Sequence, residues 1–176
     1  MLTDSEILEA ITNGGIKIEP FLKEKIQPGN YRLTLGSKLL LPKKGIRILK
    51  DSPEQSMYDE LDLSTQSYII KPKEFLLAQT LEKIGLSKQI SAILDGKSTL
   101  ARLGLSIHQS AQLIVAGEEP QIITLELYNA GEFEIELTLG MKIAKLIFFK
   151  FDKPNDRASD DIAAYVGQTE TTAPKL

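Results

Sequence analysis

The chain has 176 residues, 42% of them hydrophobic and 26% charged, which suits one domain with a sizeable core and an ordinary soluble composition. A formal net charge of -3 argues against a broad face for long nucleic acid but leaves room for a local basic pocket taking one triphosphate. With no cysteine and a single histidine, disulfides, thiolate metal sites and the His/Cys/Cys zinc centre of nucleobase deaminases are excluded.

The opening residues lack the basic-then-apolar order of a signal peptide, and no apolar run approaches the roughly 20 residues of a membrane helix. A cytoplasmic protein is the expectation. Thr3 followed by Glu6 forms a capping box, Ile7, Leu8 and Ile11 repeat at helical spacing, and Gly14-Gly15 ends that helix. Strands are predicted over 31–35 and 39–41, the second closed by Pro42, whereas polar 51–65 reads as a surface loop. Further strands follow over 68–70, 75–81 and 90–94, then one or two helical turns from Ser98 as cap to Gly104 as stop. Residues 105–107, 121–128, 133–137 and 143–151 complete the set. Phe133, Ile135 and Leu137 alternate with Glu132, Glu134 and Glu136, giving one dry face and one wet. Residues 1–151 thus read as an all-β sandwich or barrel with an N-terminal helix, and 152–176 as a flexible tail.

Four features could carry chemistry. Glu126 is the one charge in the strand 122–128 and shares a face with Ile122, Thr124 and Tyr128 by alternation. It is either a carboxylate on a half-wet face or a partly desolvated general base or acid. The run Gly96 to Gly104 combines a glycine, a cation, two hydroxyls and a helix start, as an anion site needs, although a capped turn with solvated charges is the commoner case. It lacks the glycine spacing of a Walker A loop. His108 reads as a satisfied structural residue, and no nucleophile elbow offers it a serine partner. Tyr165-Val166-Gly167-Gln168 is either an idle tail segment or a lid that orders on ligand.

Taken in order, these segments resemble the dCTP deaminase family and, more remotely, the trimeric dUTPases, over nearly the whole chain. Asn30 to Gly36 is similar to the family's Ser-Tyr-Asp-Leu-Arg-Leu-Gly motif, and Gly96 to Leu105 to its Gly-Arg-Ser-Ser-Leu-Ala-Arg-Leu-Gly-Leu. Ile123 to Asn129 matches the strand bearing the catalytic glutamate, Gly140 to Ala144 the motif after it, and Tyr165 to Gln168 the C-terminal lid. The resemblance implies a distorted β-barrel of the β-clip, dUTPase-like type, assembled as a homotrimer with active sites between subunits. It also implies hydrolytic deamination of dCTP to dUTP and ammonia with no metal at the base and no zinc. Glu126 would shuttle the proton, Ser98 and the backbone around Ser110-Ala111 would position water and ammonia, and Arg102 would reach across the subunit boundary. Lys97 and Thr99 would hold the triphosphate with its Mg²⁺, Ser110 and Gln112 would contact substrate, and Tyr165 and Gln168 would close over it.

The chain departs from that pattern at several positions. Arg32 stands for the family's Asp, Lys97 for Arg, Lys145 for Gln, and Thr169 to Thr172 for the lid's Gly-Pro continuation. Val115 occupies the place of the aspartate that dUTPases use, with about one extra residue before the glutamate strand. A monofunctional dCTP deaminase is the expectation. The alternatives are a dUTP diphosphatase or bifunctional enzyme, which Val115 disfavours, and a non-catalytic nucleotide-binding or structural trimer.

Overall fold

The computed structural model describes residues 1–46, 54–158, 165 and 167–175. Helix α1 (Asp4–Thr12) begins as predicted: Thr3 Oγ1 accepts the Glu6 N–H at 3.4 Å, and the Glu6 carboxylate accepts the Thr3 N–H at 2.8 Å. This reciprocal cap satisfies two otherwise orphaned donors and contributes about 1 kcal/mol. Ile7 is the helix residue fully buried against the barrel.

The strands are β1 (Ile16–Glu19), β2 (Ile26–Gln27), β3 (Asn30–Thr34), β4 (Lys38–Pro42), β5 (Tyr58–Asp62), β6 (Tyr68–Ile70), β7 (Phe75–Leu86) and β8 (Ile90–Gly96). After the short helix α2 (Ser98–Ala101) come β9 (Leu105–Ser106), β10 (Leu113–Ile114), β11 (Glu118–Asn129), β12 (Ile135–Leu137) and β13 (Lys142–Lys150). One sheet runs β5-β4-β7-β11-β9 with β1 added to β7, a second runs β10-β8-β13-β3-β2, and β12 pairs with β6. All these pairings among the described residues are antiparallel. Among the described residues the fold is β-rich with two α-helices, in line with the expected all-β class.

Alternation sorts each long strand. Leu125 and Leu127 of β11, Leu76 of β7, Leu94 of β8, Leu146 and Phe148 of β13 and Leu33 of β3 fill one core and are almost wholly buried. Each such side chain contributes roughly 1.5–3 kcal/mol on leaving water. The two sheets are also joined through a charge. Glu82 of β7 is 0% exposed; it accepts the Thr34 N–H at 3.0 Å and the Thr34 hydroxyl at 2.8 Å, and it pairs with Lys25. Nearby, the β7/β11 register shifts between Ile122 and Thr124, and the Thr80 hydroxyl takes the Ile123 N–H at 3.0 Å in the irregularity.

Several expectations need correction. Part of the loop predicted over 51–65 is strand β5, whose polar residues sit on a sheet edge beside β4; residues 51–53 lie outside the described residues. Strands β1, β2 and β10 were not predicted, because runs of two to four residues carry little periodicity. Phe133 is 65% exposed rather than on a dry face, since β12 starts only at Ile135. The cap of α2 is Lys97, not Ser98, and no side chain bonds there. Gly104 does close the turn, at φ 95°.

Candidate active site

Glu126 lies on β11 opposite Leu77 of β7. Because Leu125 and Leu127 point into the core, alternation turns Glu126 and Thr124 the other way, as predicted, into a cavity of about 280 Å³. Ala111, Ile122, Tyr165 and Gln168 also line it, whereas Tyr128 does not. Glu126 Oε2 accepts the Gln109 N–H at 2.7 Å, while the Glu126 N–H donates to the Ile107 carbonyl at 3.0 Å. The loop after β9 is therefore clipped to the strand at the carboxylate itself. No hydrogen bond from the described residues occupies Oε1, so one oxygen fixes orientation and the other is available for proton transfer.

The tail lies along this same face. Gln168 accepts the Ile122 N–H at 3.0 Å and donates its side-chain amide to Thr124 Oγ1 at 3.1 Å. Thr171, 0% exposed, donates its N–H to Gln79 Oε1 at 2.8 Å, and Glu170 pairs with Lys38 at 3.1 Å. The Tyr165 hydroxyl accepts the Lys175 N–H at 2.7 Å. Residues 159–164 and 166 lie outside the described set.

Lys97, Ser98 and Thr99 do not share that cavity. They line a second one of about 470 Å³ together with Arg32 of β3 and Lys142 and Lys145 of β13. The Lys97 N–H donates to the Ile143 carbonyl at 3.2 Å, tying the entry of α2 to β13. Its exit is tied to the end of β11 by Ala130 N–H to Gly104 O at 2.9 Å, where Gly104 and Gly131 approach too closely for either to carry a Cβ. Lys145 pairs with Asp95 at 2.9 Å. Burial alone would raise the Asp95 carboxyl, but the Lys145 ammonium and the Gly96 N–H outweigh it and hold its pKa below the ordinary value.

The remaining predicted residues fall elsewhere. Arg102 is exposed at the C-cap of α2 and lines neither cavity. Ser110 and Gln112 are exposed between β9 and β10, and the Gln112 carbonyl accepts the Leu94 N–H at 2.8 Å. His108 is not the satisfied residue expected: its Nδ1 is buried without a hydrogen-bond partner among the described residues. Val115 is 42% exposed and lines a third hollow with Leu113 and Phe151, outside the Glu126 cavity. Sequence reasoning missed Gln109, whose backbone reaches Glu126 only through loop closure, and Lys142; Arg32 and Lys145 were visible as departures, not as neighbours.

Comparison with known proteins identifies the family. The family described as dCTP deaminase-like matches residues 1–151. A dUMP-forming dCTP deaminase of Methanosphaerula palustris is 32% identical over 176 residues, 98% of this chain and 93% of that one. One from Aquifex aeolicus is 38% identical, covering 89% of this chain and 85% of the relative. Among solved structures, 2'-deoxycytidine 5'-triphosphate deaminase from Agrobacterium tumefaciens superposes with a TM-score of 0.65 at 23% identity, over 84% of this chain. The chain spans 46% of that structure's length, so the likeness speaks for the fold. On the family match and these near full-length relatives, the chain belongs to the dCTP deaminase-like family.

Proposed function

We propose that the chain converts dCTP and water to dUTP and ammonia, with Glu126 as the proton shuttle. The observation that carries this is the Glu126 carboxylate, pinned by the Gln109 N–H on one oxygen and facing a cavity. Glu126 takes a proton from water as hydroxide adds to C4 of cytosine, and passes it to ring N3. It then takes the proton of the new C4 hydroxyl and passes it to the exocyclic amine. The C4–N bond breaks, ammonia leaves, and the ring keeps C4=O and N3–H. A positioned shuttle of this kind supplies roughly 10²–10⁴ in rate. Glu126→Gln is therefore expected to lose ammonia release by that factor while still binding dCTP; unchanged turnover would sink the assignment.

Among the described residues the two cavities share no lining residue within one chain, which supports a site completed by a second copy. In a homotrimer, one subunit supplies Glu126, Ala111, Ser110 and Gln112 with the tail residues Tyr165 and Gln168. Its neighbour supplies Ser98 to orient water, Arg102 to reach the ring, and Lys97 and Thr99 for the triphosphate. Among the described residues the lining of the Lys97 pocket offers hydroxyls and cations but no carboxylate, so any Mg²⁺ would have to arrive with the triphosphate and would find no protein carboxylate to hold it. No described helix is long and apolar enough to cross a membrane.

The product is dUTP on this reading, because Val115 offers no carboxylate and lies outside the Glu126 cavity. A second reading, with dUMP as the product, is favoured by the names of the relatives and by Glu118, which lines the Glu126 cavity as a second acid.

A further inference from the structure

The Lys97 pocket holds more positive charge than one phosphate needs. Among the described residues four cations, Arg32, Lys97, Lys142 and Lys145, line it with no acidic residue, in a chain whose net charge is -3. Strand register concentrates them. Lys145 of β13 is the cross-strand partner of Arg32 on one side and of Asp95 on the other. Asp95 neutralises Lys145, whereas Arg32, Lys97 and Lys142 have no ion-pair partner among the described residues. Like charges set opposite one another in an antiparallel pair destabilise the sheet. Here one carboxylate answers four cations.

The shape of the charge names the ligand. A nucleoside triphosphate tail carries about four negative charges near neutral pH, the terminal phosphate contributing roughly two. Helix α2 is a single turn of four residues, so side chains rather than a helix dipole must answer that charge. Lys97 offers a point charge. Arg32 is the one guanidinium among the described residues that line the pocket, and its planar fork matches phosphate oxygens in pairs. The departures at 32, 97 and 145 therefore fall on one pocket, where the fork stands on β3 instead of at the start of α2.

We propose that this pocket is a polyphosphate site in which Arg32 and Lys142, with Lys97, grip the triphosphate tail through their own charge, so that binding does not depend on a divalent cation. The inference rests on the deaminase reading only for assigning the tail to a nucleotide. It is tested by calorimetric titration of the full chain with inorganic tripolyphosphate, once in EDTA and once in Mg²⁺. The wild type is expected to bind in EDTA, and Arg32→Gln and Lys142→Gln each to weaken binding about tenfold or more. Each removed cation should also make binding less sensitive to added salt. Arg32→Lys, which keeps charge but not the fork, should fall between wild type and Arg32→Gln. Lys43→Gln, at a lysine outside the pocket, should change nothing. Binding that appears only with Mg²⁺, or variants that bind as the wild type does, would overturn the proposal. Ammonia release from dCTP is followed separately: its absence would fell the deaminase reading while tripolyphosphate binding still decided this one.

Discussion

The Glu126 carboxylate meets the Gln109 N–H with one oxygen and the cavity with the other, so it is oriented without being used up. The opposite design is seen at Glu82, 0% exposed, whose oxygens answer Lys25 and both donors of Thr34. That acid is structural, and replacing it by an amide leaves the mostly buried Lys25 ammonium without its counter-charge. Glu82→Gln is expected to cost about 3–5 kcal/mol of stability in urea denaturation, the usual penalty for removing one partner of a buried pair. A loss below about 1 kcal/mol would mean that water or Lys25 rearranges to cover the gap. Of these two acids, only Glu126 was legible beforehand, because it interrupts an apolar strand. Glu82 sits in a run whose pattern continues through Glu82 and Lys83, and nothing local shows that one of these charges turns inward.

Strands β7, β11 and β13 were legible as elements because each holds a long apolar run, rich in β-branched and aromatic residues in β11 and β13 and in leucine in β7. Strand β5 was not, since an edge strand can be polar and still satisfy its ladder. Register was beyond sequence altogether, and register is what sets Lys145 between Arg32 and Asp95. The Asp95–Lys145 pair has a consequence in acid. Its folded-state pKa lies below the ordinary 3.8, so the stabilisation is present above that value and is lost as pH falls through the lower folded value. Unfolding measured between neutral pH and about pH 2 should therefore show a smaller acid-induced loss in Asp95→Asn than in the wild type. Identical acid slopes would show that the bridge is too solvated to register, as exposed pairs often are.

For the whole molecule, one chain carries both halves of the proposed site but keeps them in separate cavities. Mixing tests the consequence. Glu126→Gln and Ser98→Ala chains, each inactive alone, should regain about a quarter of wild-type turnover when refolded together in equal amounts, because symmetry lets one neighbour repair the other. No recovery would place the whole site within one chain. Motif order carried the sequence reading to the family, whereas the division of the motifs between two sheets emerges only from the fold. The most direct test of the account is incubation of the purified chain with dCTP, with ammonia assayed and the nucleotides resolved by chromatography, beside Glu126→Gln. Equal amounts of dUTP and ammonia from the wild type, and neither from the variant, is the expected result. Ammonia at undiminished rate from the variant, or none from a wild type that binds dCTP, would contradict it.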